Sequence, residues 1–170
     1  GESWGLLLVS GPKSAEAVAA AFGIEVRALQ LLHTLPATIG GQQGLILRTE
    51  ETGEQDFEVL LPADAVPAAW NQLMTSGAPF DIKPVGAQAR ELLRIEAGLP
   101  KAGPDLNEEI VPPEANLEGK AFSLSKGCYP GQEVVARMDT YGNVRRHLVG
   151  LIIQDKTVPP AGSKLFSGDR

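Results

Sequence analysis

Cysteine is nearly absent: Cys128 is the single one among 170 residues. No intramolecular disulfide can form, and no zinc-ligand spacing is present. That scarcity fits a reducing compartment, and the cytoplasm is the expected location. Long apolar runs are missing too. None approaches the roughly 20 residues needed to cross a bilayer as a helix, and residues 6–9 are too short for the apolar part of a secretion signal. No membrane partner is expected. The chain also lacks internal repeats, low-complexity tracts and a phosphate-cradling glycine loop. The acids between Asp105 and Glu118 do not follow a calcium-loop pattern, so no metal site is expected. Positive charge is in the minority, and the net charge of −6 excludes a nucleic-acid surface over the whole molecule. A local basic patch remains open at Lys126, Arg137, Arg145, Arg146 and His147, but no direct nucleic-acid partner is expected.

What is present describes an ordinary globular chain. Hydrophobic residues make up 43% and charged residues 21%, while 19 glycines and 13 prolines imply many turns. Such a length can bury one sizeable core or parts of two smaller ones. The chain starts with Gly1 rather than Met and stops just after a strand-like stretch, so it is expected to be a piece of a longer protein.

Residues 4–9 are β-rich and apolar. Gly11-Pro12 then breaks the pattern, Ser14 stands as an N-cap, and residues 15–22 repeat small apolar side chains at helical spacing up to Gly23. Residues 29–38 are ambiguous, and His33 among them has no partnered carboxylate nearby in sequence. Residues 44–48 and 56–61 alternate in part with period two around a polar turn, which predicts a hairpin. The alternation puts Glu58 on the face opposite Phe57 and Val59. Facing solvent it is a surface acid; lining a cleft it is a carboxylate in want of a donor. Asp64 can cap a helix over residues 65–76 with Pro67 in its first turn and Val66, Trp70, Leu73 and Met74 as its buried stripe. Residues 86–97 read as the strongest helix, with Ala89, Leu92 and Leu93 apolar, Gly98 as its stop and Pro100 beyond. Arg90 and Arg94 share one face there. They can bind an anion or planar acceptor, or pair with Glu91 and Glu96.

A long acidic, proline-rich loop over residues 101–120 leads into Lys126-Gly127-Cys128-Tyr129-Pro130-Gly131-Gln132-Glu133. Pro130 and Gly131 suit the two central positions of a tight turn, and a short helix is expected over residues 132–137. Cys128 would then lie near a helix start and two residues from a cation, surroundings that make a thiol more reactive. The alternative is a buried small apolar residue in a structural turn. Residues 145–154 and 164–166 read as strands, the entry to a β-domain.

The run Lys126 to Glu133, followed by Val134-Val135-Ala136-Arg137, resembles the signature of the YgfZ-type folate-binding proteins that support iron–sulfur cluster assembly or repair. Thr52-Gly53-Glu54 with Phe57-Glu58, and Ala89-Arg90 through Gly98, are similar to blocks of the wider superfamily that includes the glycine-cleavage aminomethyltransferases. The resemblance implies an α+β fold of mostly antiparallel sheets with packed helices. It implies the remainder of an N-terminal folate-binding subdomain over residues 1–35, a second α+β subdomain over 36–144 and the start of a C-terminal β-barrel over 145–170. It further implies a tetrahydrofolate site, with Glu58 bonding the pterin and Arg90 near the same cofactor, and with Tyr129, Gln132 and Arg137 contributing to binding. Lys126 and Cys128 take the active role, and the partners are reduced folate and iron–sulfur client proteins, tRNA-modifying enzymes among them. The family's catalytic aspartate would precede Gly1. A folate-dependent aminomethyltransferase, moving one carbon as in glycine cleavage, is the alternative activity.

Overall fold

The computed structural model describes residues 3–142, 144, 146–154 and 157–166. Its regular core comes from four segments that alternate buried and exposed side chains: β1 (Trp4–Ser10), β2 (Thr34–Ile39), β3 (Gln42–Thr49) and β4 (Asp56–Pro62). They pair antiparallel in the order β1-β4-β3-β2. The predicted β3–β4 hairpin forms, and the ambiguous segment supplies β2 at one edge. Pairing is locked by register: Val9 lies opposite Phe57, Leu7 opposite Val59, and Ile46 opposite Val59 from the other side. All of these side chains share one face, and Phe57, Val59, Leu61 and Ile46 are fully buried. Each such burial contributes about 2–3 kcal/mol before conformational entropy is set against it.

Two helices close that face. In α1 (Ser14–Phe22) the buried residues are Ser14, Ala15, Ala17, Val18 and Ala21, small enough for close packing, and Gly23 ends the helix in the left-handed region. In α2 (Val66–Ser76) they are Ala69 and Leu73, which join the same core as Val18 and Phe57. Three expectations are corrected here. Ser14 is not the cap but the first helical residue; its buried hydroxyl donates to the Gln55 carbonyl at 2.6 Å and ties α1 to the start of β4. Asp64 lies in a 3-10 turn (Ala63–Ala65), and no side chain caps α2. Trp70 is 42% exposed, because the sheet-facing line of α2 runs through Ala69 and Leu73 and one further residue turns about 100° away.

The opposite face of the sheet carries Leu6, Leu8, Leu45, Leu47, Glu58 and Leu60, with Leu6 and Leu45 exposed. After a 3-10 turn (Ala78–Phe80), α3 (Ala87–Glu96) follows. It buries no residue, and its leucines Leu92 and Leu93 are exposed.

Residues up to Leu106 form one compact unit and those from Asn107 onward another. The second unit contains a 3-10 turn (Pro112–Ala115) and α4 (Gln132–Tyr141), with Ala115, Phe122 and Val135 buried. The predicted strands over residues 145–154 and 164–166 are not formed among the described residues; Arg145 itself lies outside them. An extended apolar segment becomes a strand only beside a ladder partner. Residues 146–148 instead bond to the 3-10 turn: Arg146 pairs with buried Glu114 at 2.9 Å, and the Leu148 N–H donates to the Glu114 carbonyl at 2.8 Å. No helix among the described residues is long and apolar enough to cross a membrane.

Candidate functional site

The turn between β3 and β4 is held by a buried acid. The carboxylate of Asp56, fully inaccessible, accepts from the backbone N–H groups of Glu51 and Thr52 and from the Thr52 hydroxyl, the last two at 2.7 Å each. Gly53 follows with φ +79°, and a Cβ there would come within 2.8 Å of Ala97 Cβ. Glycine thus lets the turn approach the end of α3 closely. That approach places Glu51 beside α3, where its carboxylate forms an ion pair with Arg90.

Glu58 completes the group. It projects from β4 onto the open sheet face, flanked by Leu8 and Leu47 in the neighbouring strands, and is partly buried. Its carboxyl lies near that of Glu51 and feels the charge of Arg90. Burial is the first cause that pushes Glu58 above the usual carboxylate range; the nearby Glu51 carboxyl adds to it, and Arg90 opposes it. Glu58 is therefore neither of the two simple alternatives but one member of an acid–acid–guanidinium cluster. A groove of about 750 Å³ adjoins it, lined by Leu6, Trp70, Met74, Phe80, Val85 and Arg90 among others, although Glu58 does not line it.

Arg94, one turn on, does different work. Its guanidinium donates to the Leu99 carbonyl, to Asp105 at 2.9 Å and to Glu91 at 2.7 Å, and so fastens the end of α3. Structural pairing holds for Arg94. Hydrogen bonds from Arg94 and then Lys101 lower the Glu91 carboxyl to about 2. The folded value lies below the ordinary one of about 4.5, so the native form holds fewer protons than the unfolded form. The stability from this contact is complete above the ordinary value and is lost as pH falls through about 2. Being exposed, it is small and weakened by salt. Melting temperatures of the protein and of Glu91→Gln should differ at neutral pH and converge on acidification; a difference that stays constant with pH would reject this.

In the second unit the cysteine motif takes the predicted form. Gly131 has φ 83°, the Gln132 N–H donates to the Tyr129 carbonyl at 3.2 Å, and α4 begins at Gln132. Cys128 is exposed, so it is not the packed apolar residue of the alternative reading. The Lys126 ammonium lies 4.7 Å from the centre of the Tyr129 ring. The Tyr129 hydroxyl is buried without a hydrogen-bond partner in the described structure. Gln132 is partly buried, whereas exposed Arg137 pairs with Glu133 one turn back at 2.7 Å. Among the described residues no His, Cys, Asp and Glu gather as a metal site.

Glu58 and Arg90 are thus brought together in one unit, and Lys126, Cys128, Tyr129, Gln132 and Arg137 share one turn and helix in the other. Glu51 and Asp56 are additional to the residues singled out in the sequence, whereas Thr52 belongs to the Thr52-Gly53-Glu54 block named there. The only signal of Glu51 and Asp56 is an excess of acids around the turn.

A two-layer α+β unit, its antiparallel sheet backed by helices on one side and carrying an acid–guanidinium cluster on the other, is the class that fold and site define. A family described as the GCVT N-terminal domain matches residues 1–124 of the 170. The chain belongs to that family, within the superfamily of the aminomethyltransferases. It is 32% identical over 170 residues to an aminomethyltransferase of Prosthecochloris aestuarii, covering 99% of this chain and 46% of that protein. An aminomethyltransferase of Streptomyces avermitilis is 34% identical over 171 residues, 98% of this chain and 45% of that one. One from Moorella thermoacetica is 35% identical over 153 residues, 90% and 41% respectively. The chain spans less than half the length of these relatives.

Proposed function

We propose that the protein binds tetrahydrofolate and acts as a folate-dependent one-carbon transferase on an aminomethyl or methylamine substrate. The signature turn by itself resembles that of the iron–sulfur accessory proteins, but relatives named aminomethyltransferase support the transferase over iron–sulfur cluster assembly. The observation that carries it is the convergence of Glu58, Glu51 and Arg90 on one cluster in a unit of this family, with Arg90 ion-paired to Glu51 and its charge felt at Glu58. A pterin edge offers N–H donors to a carboxylate and acceptors to a guanidinium, so opposite polarities converging on one site can read it. The protein's share is then to orient the folate and supply fixed charge, with the one-carbon chemistry residing in the folate itself. In the same reading residues 145–170 open a β-barrel, and the protein works in the cytoplasm.

Thermal unfolding of the full-length protein tests binding. Tetrahydrofolate at a hundredfold excess over its Kd should stabilise the native state by about 2.7 kcal/mol through mass action. An unchanged melting temperature would reject folate binding.

One observation favours a second reading, the YgfZ-type accessory role toward iron–sulfur clients, including tRNA-modifying enzymes. It is the exposed thiol of Cys128 beside Lys126 and Tyr129 in the signature turn, with Gln132 and Arg137 following it. One cysteine supplies only one of the four thiolates a cluster usually takes, so any cluster would be shared with a client. Cys128→Ala distinguishes the two. Loss of client-enzyme activity with folate binding intact selects the accessory role; intact client activity selects the transferase.

A further inference from the structure

The two edges of the sheet differ in what they leave open. Next to β1 the Gly11 N–H donates to the Gln55 carbonyl at 3.1 Å, and the Ala63 N–H donates to the Ser3 carbonyl at 3.0 Å. Both bonds continue the β1–β4 register, so the odd-numbered residues of β1 turn their backbone groups toward β4. The even-numbered ones, Trp4, Leu6, Leu8 and Ser10, turn theirs outward, where no strand lies. Among the described residues no backbone hydrogen bond meets those outward groups. β1 also lacks the devices that keep an edge from pairing, since Trp4 to Ser10 holds no charge and no proline. The edge at β2 is guarded. There the Arg48 N–H donates to the His33 carbonyl at 3.1 Å, which in the β2–β3 register puts Pro36 among the outward residues. Its missing N–H interrupts that edge.

The bare edge runs along the groove of about 750 Å³ in the first unit. Residues 6–14 form one wall, and Trp70, Met74, Phe80, Val85 and Leu93 stand along the other. Trp70, Val85 and Leu93 are exposed there. A small ligand can fill such a groove, but it cannot match donors and acceptors that recur every second residue, about 7 Å apart. An extended chain can. The chain spans less than half the length of the aminomethyltransferases it matches, so a protein of their length holds more sequence outside residues 1–170 than within them. A segment tethered to the sheet meets its edge at a high effective concentration, which favours it over a second copy of the protein.

We infer that β1 is an interior strand of the full-length protein: its outer edge takes up a further, apolar strand, supplied by the part of that protein outside residues 1–170 and seated in this groove. The sheet then has five strands, and the exposed side chains of the groove are covered. The inference stands apart from the folate reading but bears on its site. Leu8 lies opposite Glu58, so a residue of the added strand opposite Leu8 stands two strand spacings, about 10 Å, from Glu58 and shares its face of the sheet.

The test is amide hydrogen exchange in the unsubstituted full-length protein, followed residue by residue by NMR. The Leu6 and Leu8 N–H groups should exchange about a hundredfold or more slower than in an unfolded peptide. Exchange at the peptide rate overturns the inference. Cross-strand contacts between these amide protons and their neighbours then name the occupant. Contacts with residues outside 1–170 of the same molecule are expected. Contacts with residues inside 1–170, or contacts that arise between labelled and unlabelled molecules in a mixed sample, overturn it, the latter in favour of a dimer formed through β1.

Discussion

Replacing Asp56 by alanine should lower the stability of the first unit by about 3 kcal/mol, since three donors would lose a buried charged acceptor. These donors lie in the turn that carries Glu51, and Thr52 is buried there along with Asp56. Water can reach part of the cavity left behind, which keeps the cost below that of three orphaned groups. The loss should come with weaker folate binding, because an unpinned turn no longer presents Glu51 to Arg90. Urea unfolding measures the first effect through its midpoint, and the slope shows whether the native state has expanded. A loss below about 1 kcal/mol would mean that the Asp56 network is incidental to the turn.

Gly53→Val should be nearly as damaging, at about 2–3 kcal/mol, and for a different reason. A β-branched residue is strained at φ +79°, and its Cβ would sit 2.8 Å from Ala97 Cβ. The strain can be relieved by moving the turn away from α3. That motion should part Glu51 from Arg90, so the variant should bind folate weakly even under conditions where it remains folded. Circular dichroism melting with calorimetric titration separates the two effects. Full affinity in a destabilised Gly53→Val protein would show that the approach of turn to helix serves stability alone.

Much of the first unit could be read from residues. The alternation in residues 44–48 and 56–61 gave β3, β4 and their hairpin, and small-residue spacing with Gly23 gave α1. Pairing of β1 with β4 was not legible, because contacts between strands so far apart in the chain leave no local pattern. β2 was hidden by Pro36 and His33 inside an apolar stretch, and it forms at a sheet edge, where proline is tolerated. Trp70 fits an apolar stripe by its spacing yet stands exposed, because the buried line of α2 is set by Ala69 and Leu73. The strand expected at residues 145–154 had the right composition, but composition does not supply a neighbour. As for the site, Glu58 and Arg90 came from resemblance and their physical pairing from polarity. Glu51 could not be found this way. An acid in an acid-rich turn reads as solvated until the contact at Gly53 brings a helix beside it.

The attachment of α3 has one more consequence. With no buried side chain, this helix is riveted by Arg90 to Glu51, by Arg94 to Asp105 and by the close fit of Gly53 against Ala97. Ionic rivets loosen as counterions crowd them, whereas apolar seams do not. The wall that presents Arg90 is accordingly able to yield in brine while the leucine and valine floor beneath the sheet stays fast.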